Sequence, residues 1–229
     1  MSIQSSIVVD IHNELKAASN QVRRQKIAEY LKTSKLDFIG VELPDIHKIV
    51  KSQTKAMKPS DLVPLMHQLW NIKAFETRLS AIDMMKAYAR KETPQNALGI
   101  IDPWIDDLDT WGLSDPLCQP CIGALVFRDP GVDKVLERWR SSGNFWRRRC
   151  SVLPYLYLCL KAHYQADYDA RIVAAVKPHI GDKEFFVGKA AGWVLRELSK
   201  RNQGLVRFFI AENQDHMTRL VKREASQKI

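Results

Sequence analysis

The sequence predicts an all-α chain, a solenoid of antiparallel helix pairs, on three observations. Apolar residues recur at spacings of three and four almost throughout, as they do when each helix buries one face. No stretch alternates strictly between apolar and polar residues for more than a few positions, which argues against half-buried strands. Ten or more such segments of roughly 10 to 20 residues are joined by short loops carrying Pro, Gly or Asp, as in stacked helix pairs.

Taken in order, the periodic segments fall at 12–32 and 44–55, and then at 59–71. There Leu62, Leu65, Met66 and Leu69 share a face and Ser60 or Asp61 can cap the start. The same spacing continues over 74–91, 97–108, 111–126, 131–141, 144–163, 168–179, 183–201 and 205–212, with a last segment to about 223. Pro154 is expected to kink the apolar segment 144–163 or to open a second one within it. No exact repeat is visible, but weak repeats with a period near 40 are expected of helix-pair arrays of the HEAT type. No low-complexity linker interrupts the chain, so 1–229 is read as a single helical-repeat domain.

A chain of 229 residues buries roughly 70% of its unfolded surface, enough for a core without disulfides or a structural metal. The 45% hydrophobic and 27% charged content excludes a disordered tail or a collagen-like rod. The longest apolar stretch, 152–160, contains a proline and falls well short of the ~18 residues that span a bilayer. Residues 1–6 carry no basic segment leading into an apolar one, so no secretory signal is read. Four cysteines in a chain this long make no disulfide framework, and a cytoplasmic protein is expected.

Thirty-five Lys and Arg against 26 Asp and Glu leave a net charge of +9. Such an excess speaks to partners, and nucleic acid is the commonest anionic one. Its distribution is uneven. Residues 95–127 hold five acids, Asp102, Asp106, Asp107, Asp109 and Asp115, and no Lys or Arg. Residues 128–150 hold seven basic residues against three acids, and 189–228 hold nine against four. Asp102, Asp106 and Asp107 read as acids at a solvated helix start, where they favour the dipole.

Asp115 reads differently. Trp111 and Asp115 are four apart, so on a helix they project from one face. Pro116 disfavours helical geometry at the aspartate itself, and the helix is expected to break there. Further on stand Phe145-Trp146-Arg147-Arg148-Arg149-Cys150 and Lys189-Ala-Ala-Gly-Trp193-Val-Leu-Arg196-Glu197. Asp115, Arg149 and Trp193 are separated by 34 and 44 residues, close to one helix-pair repeat each, so successive repeats are expected to present them along one concave face.

At these residues the sequence resembles the AlkD-like family of bacterial DNA alkylation-repair glycosylases, built of HEAT-like repeats. The 189–197 segment is the most specific part. The Trp111/Asp115 pair supports it, as do Ala28-Glu-Tyr30-Leu-Lys and Phe38-Ile-Gly40-Val-Glu-Leu-Pro44. The resemblance implies that Trp111 and Trp193 contact deoxyribose and that Asp115 is catalytic. It also implies that Arg149 and, more weakly, Tyr30 lie beside the backbone of the lesion; Arg148 and Lys189 are further candidate DNA contacts. Within the arginine run the register favours Arg149, because a small residue and then an apolar run follow it. Gly112 and Pro116 depart from the commoner family wording.

The chemistry accounts for the set. A purine alkylated at N3 or N7 already carries positive charge, so its glycosidic bond breaks without a general acid. What remains is to stabilise an oxocarbenium-like sugar and deliver water, and a carboxylate serves both tasks. Indole faces hold a cationic sugar or base by cation–π attraction, and an arginine fixes a phosphate by charge-assisted hydrogen bonds. The resemblance implies that the base stays stacked, unlike in glycosylases that flip it into a pocket.

Other features read as structure. Trp70, Trp139 and Trp146 are expected in the core, and Cys118-Gln-Pro-Cys121 lacks the second ligand pair of a zinc site, so its thiols are read as buried or incidental. No histidine spacing suggests a metal and no Gly-rich loop suggests a nucleotide. The reading is a monomeric, monofunctional glycosylase for N3-methyladenine and N7-methylguanine in duplex DNA, with no cofactor, metal, nucleotide or membrane. The alternatives are a non-catalytic helical module that binds DNA structures and a protein-interaction scaffold.

Overall fold

The computed structural model describes residues 3–229. Among them every regular element is helical, and the one isolated bridge, Asp37 with Ala74, is too short to be a strand. No described helix is long and apolar enough to cross a membrane. The chain forms two compact units, Met1–Leu117 and Cys118–Ile229.

The first unit holds α1 (Ile3–Ala17), α2 (Gln21–Tyr30), α3 (Leu43–Thr54), α4 (Pro59–Asn71), α5 (Phe75–Ala89), α6 (Pro94–Asp106) and α7 (Trp111–Leu117). Two helices therefore stand where one was expected over 12–32. The break comes at Asn20, which is extended and accepts the Arg23 amide on its side chain at 2.9 Å, meeting the need of a new helix start for acceptors. In α4 the stripe Leu62, Leu65, Met66 and Leu69 is buried as its spacing predicts, and Asp61 accepts the Lys58 amide at 3.2 Å.

Helix α5 is the centre of this unit and packs against α3, α4 and α7. It is buried almost all round, including Glu76, Thr77, Arg78 and Ser80. Such burial is tolerable because each polar group has a partner. Thr77 Oγ1 donates to the Ala74 carbonyl at 2.8 Å and Ser80 Oγ to that of Glu76 at 2.9 Å. The Arg78 guanidinium donates to the carbonyls of Trp70 and Asp107 and lies 4.7 Å from the Trp70 ring centroid. Trp70 in turn stacks on Trp104.

Asp102, Asp106 and Asp107 correct the expectation of acids at a helix start. They lie in the last turns and at the C-cap of α6, the end at which the dipole disfavours them. A tertiary partner decides for Asp107, whose carboxylate accepts the Trp70 indole N–H at 3.0 Å.

The second unit opens with a π-helical turn, Cys118–Ile122. It continues through α8 (Gly123–Arg128), α9 (Asp133–Trp139), α10 (Phe145–Val152), α11 (Leu156–Cys159), α12 (Asp169–Val176), α13 (Phe185–Ser199), α14 (Gln203–Asn213) and α15 (Arg219–Ala225). Pro154 does split the apolar segment, sitting in a 3-10 turn between α10 and α11. Helix α13 is the core, packed against α10, α14 and α15. Its glycines bring α15 close: a Cβ on Gly192 would lie 2.5 Å from Glu224 Cβ, and one on Gly188 would lie 3.3 Å from Leu220. Trp139 and Trp146 are buried, as is Trp70 in the first unit.

Candidate functional site

In the first unit, α2, α5, α7 and the segment before α3 surround an open cavity of about 570 Å³. Its floor is apolar, formed by Ile27, Leu31, Val41, Phe75 and Leu79, and Tyr30, Trp111, Asp115, Arg23 and Lys26 also line it. Three residues singled out in the sequence thus meet at one place. The Tyr30 and Trp111 rings lie edge to face, with centroids 5.1 Å apart. Tyr30 is 71% exposed, so its place at the rim cannot come from a wish to bury it.

Local interactions hold these elements in place. Glu76, fully buried on α5, accepts the backbone amides of Ile39 at 2.9 Å, Gly40 at 2.8 Å and Val41 at 3.3 Å. Gly40 has φ +91°, a left-handed conformation that suits glycine, and the chain can then turn its amides onto one carboxylate. Asp109 accepts the Ser34 hydroxyl at 2.9 Å and the Lys35 amide at 2.6 Å, which ties the segment after α2 to the one before α7.

Helix α7 does not break at Asp115; it continues through Pro116 to Leu117. Leu113, Ser114 and Leu117 are buried, and that packing outweighs the mild bias that a proline puts on the preceding residue. The irregularity falls after it, in the π turn that contains Pro120. Trp111 and Asp115 therefore keep helical spacing. The Ser114 hydroxyl donates to Asp115 Oδ1 at 3.0 Å. Gly112 also has a role: a Cβ there would come within 2.7 Å of Leu31 Cδ1 and 3.0 Å of the Phe75 ring, so glycine lets α7 lie against α2 and α5.

The second unit carries the rest. Trp193 is half-buried on α13, four residues after Lys189. Lys189 pairs with Glu224 at 2.9 Å. Arg148 pairs with Asp182 at 2.7 Å and donates to the Ser142 and Gly143 carbonyls. The Asp182 carboxyl feels burial first, which would raise it, but bonds from Arg148 and the Glu184 amide outweigh this and hold it below its ordinary value. Arg149 is only 3% exposed, and its guanidinium donates to the Phe186 carbonyl at the start of α13.

Sequence reasoning missed Glu76, Glu224, Asp182, Arg23 and Lys26. Lys26 was within reach, because it stands four residues before Tyr30 on the same helix face. The carboxylates had no local signal. All four cysteines are buried, with Cys118 Sγ 3.1 Å from Cys150 Sγ, and among the described residues no group of three His, Cys, Asp or Glu is placed to hold a metal.

With this geometry in hand, the chain compares with known proteins as follows. The family model described as DNA alkylation repair enzyme matches residues 11–229. No curated protein matches at a significant level. Among solved structures, the chain is similar to a predicted DNA alkylation repair enzyme from Enterococcus faecalis, with a TM-score of 0.78 at 21% identity over 92% of this chain and 96% of that one. It is also similar to AlkD2 from Streptococcus mutans, with a TM-score of 0.66 at 15% identity over 90% and 99%. A third, smu.31 from Streptococcus mutans UA159, has a TM-score of 0.66 at 14% identity over 82% and 92%. At these identities the likeness is one of fold, that of HEAT-like helical proteins.

Proposed function

Since the chain belongs to the DNA alkylation repair enzyme family, we propose that it is a monofunctional glycosylase removing cationic N3-methyladenine and N7-methylguanine from duplex DNA in base excision repair. The observation that carries this reading is the meeting of Asp115, Trp111 and Tyr30 at the rim of one open cavity. A positively charged purine leaves as a neutral base, so the site needs no proton donor. Asp115 stabilises positive charge as it develops on the sugar and orients the attacking water, whose proton passes to the carboxylate and on to solvent as the C1′–O bond forms and the bond to the base breaks. The Trp111 indole holds the cationic sugar, contributing about 0.5 to 2 kcal/mol, and Trp193 on α13 is the second tryptophan proposed to act in catalysis.

Tyr30, Arg148, Arg149 and Lys189 are the proposed backbone contacts. A guanidinium has five N–H groups and an ammonium three, so the partly exposed Arg148 and Lys189 can serve an internal partner and a phosphate together, whereas Arg149, 3% exposed, reaches a phosphate only if its side chain moves. The reaction proceeds without metal or nucleotide, on a monomer, in the cytoplasm.

The test is release of methylated bases from methylated duplex DNA, wild type against Asp115→Asn, with EDTA present. Wild type is expected to release bases and the variant to lose at least a hundredfold. Equal release by both removes Asp115 from catalysis. DNA binding without release by wild type favours the non-catalytic DNA-binding module instead.

A further inference from the structure

In the second unit, positive charge is concentrated between α13 and α15 around one buried carboxylate. Glu224 is 2% exposed, and the absence of a side chain at Gly192 makes room for it. Three cations converge on it: Lys189 Nζ at 2.9 Å, Arg196 Nη1 at 3.0 Å and Arg223 Nη2 at 3.4 Å. Arg196 also donates to Gln227 Oε1 at 2.6 Å. Burial alone would raise the Glu224 carboxyl, but the bond and charge from Lys189, together with Arg196 and Arg223, hold it below the ordinary range.

Three positive charges thus answer one negative charge, and the excess is accessible. The Lys189 and Arg223 side chains are 41% and 68% exposed. Their N–H groups with those of Arg196 outnumber what two carboxylate oxygens and one amide oxygen accept. Lys189, Trp193 and Arg196 stand four and three residues apart on α13, so cluster and indole share a helix face. Long basic side chains lose rotamer freedom when they grip an anion, and a buried carboxylate that already gathers them reduces that loss.

We propose that Lys189, Arg196 and Arg223, gathered by Glu224, form a binding site for a backbone phosphodiester of DNA beside Trp193, with Glu224 as its positioning residue. This rests on the reading of the chain as a DNA-binding repair enzyme and adds Arg196, Arg223 and Glu224 to it.

The measurement is affinity for an unmethylated duplex over a range of salt concentrations, read as the slope of log K against log salt. Each lost phosphate contact makes the slope shallower by about 0.9. Arg223→Ala, at an exposed position, is expected to show that loss and Arg223→Lys to recover it. Glu224→Gln is expected to weaken binding although it raises the net charge by one; tighter binding would mark Glu224 as a mere local repulsion and overturn the positioning role. Should Glu224→Gln fail to fold, the slope of Arg223→Ala decides alone, and an unchanged slope overturns the site. Inorganic phosphate that protects the wild type against unfolding more than Arg223→Ala, with equal DNA slopes, would assign the cluster to the free anion and overturn the backbone assignment. A wild type that releases methylated bases while Arg223→Ala keeps the full slope fails this site alone. A wild type that binds no DNA at low salt fails the proposed function as well.

Discussion

The Tyr30 ring meets the Trp111 indole edge-on, with centroids 5.1 Å apart and planes at 88°, although 81 positions separate them in the chain. The pairing joins α2 to α7 at the mouth of the cavity that Asp115 also lines. An edge-to-face pair is worth about 0.5 to 1.5 kcal/mol. Because Tyr30 is mostly exposed, Tyr30→Ala should shift unfolding by no more than about 1 kcal/mol while lowering base release roughly threefold to tenfold. Tyr30→Phe, which keeps the ring but lacks the hydroxyl proposed to meet the DNA backbone, should lose base release to a similar extent with little change in stability. Full activity in Tyr30→Phe would instead assign the role to the ring.

Gly112 predicts a steric test. Gly112→Ala should gain about 1 kcal/mol of helix propensity and lose about 1 to 3 kcal/mol to contact with Leu31 and Phe75. The expected net result is mild destabilisation with a larger drop in base release, since α7 carries Trp111 and Asp115. Adding Leu31→Ala should recover part of the activity, which a double-mutant cycle would register as coupling. Additive losses would deny the contact.

Glu76→Gln should destabilise the first unit by about 3 kcal/mol in urea unfolding, because a buried carboxylate serving three amides, those of Gly40 and Val41 buried and that of Ile39 partly so, is replaced by a group with one acceptor oxygen. Amide exchange at Ile39, Gly40 and Val41 should accelerate most. A uniform acceleration across the unit would show that the carboxylate holds more than this segment.

His179 predicts a pH dependence. The Ser151 hydroxyl donates to the Arg148 carbonyl, so His179 Nε2 is assigned as the donor to Ser151 Oγ, at 2.9 Å. Burial pushes its pKa down to about 4, with Asp182 opposing and Arg148 and Arg140 assisting. The unfolded chain takes up a proton near the ordinary 6.5 and the folded one does not. Stability is therefore complete above about pH 6.5 and falls as pH drops toward 4, by about 3 kcal/mol in all. His179→Gln should flatten the dependence of urea unfolding between pH 6.5 and 5. An unchanged slope there would place its cause in other groups.

Some of this structure is legible in the chain and some is not. The α4 stripe, the buried Trp70, Trp139 and Trp146 and the interruption at Pro154 follow from spacing, because they depend on neighbours three or four residues away. The break at Asn20 was hidden, since apolar spacing runs across it and one cap overrides the pattern. Helix α5 was legible as a helix but not as the centre of its unit, for which Glu76 and Arg78 would be poor candidates without their partners. Asp107 belongs at a helix end in either view; which end was decided by the Trp70 indole, 37 residues earlier.

The sequence alone determined that the chain is helical, that Trp111 and Asp115 share a face, and that basic residues gather near Trp193. Each of these depends on the period of the helix or on the count of charges along it. Tertiary structure decided that Tyr30 joins Trp111 and Asp115 over an apolar cavity, that Gly112 makes the approach possible, and that Arg148 and Lys189 lie on Asp182 and Glu224. Those pairings join residues 34 to 85 positions apart. Burial and ion pairing act between atoms at contact distance, and only the folded chain brings such residues that close.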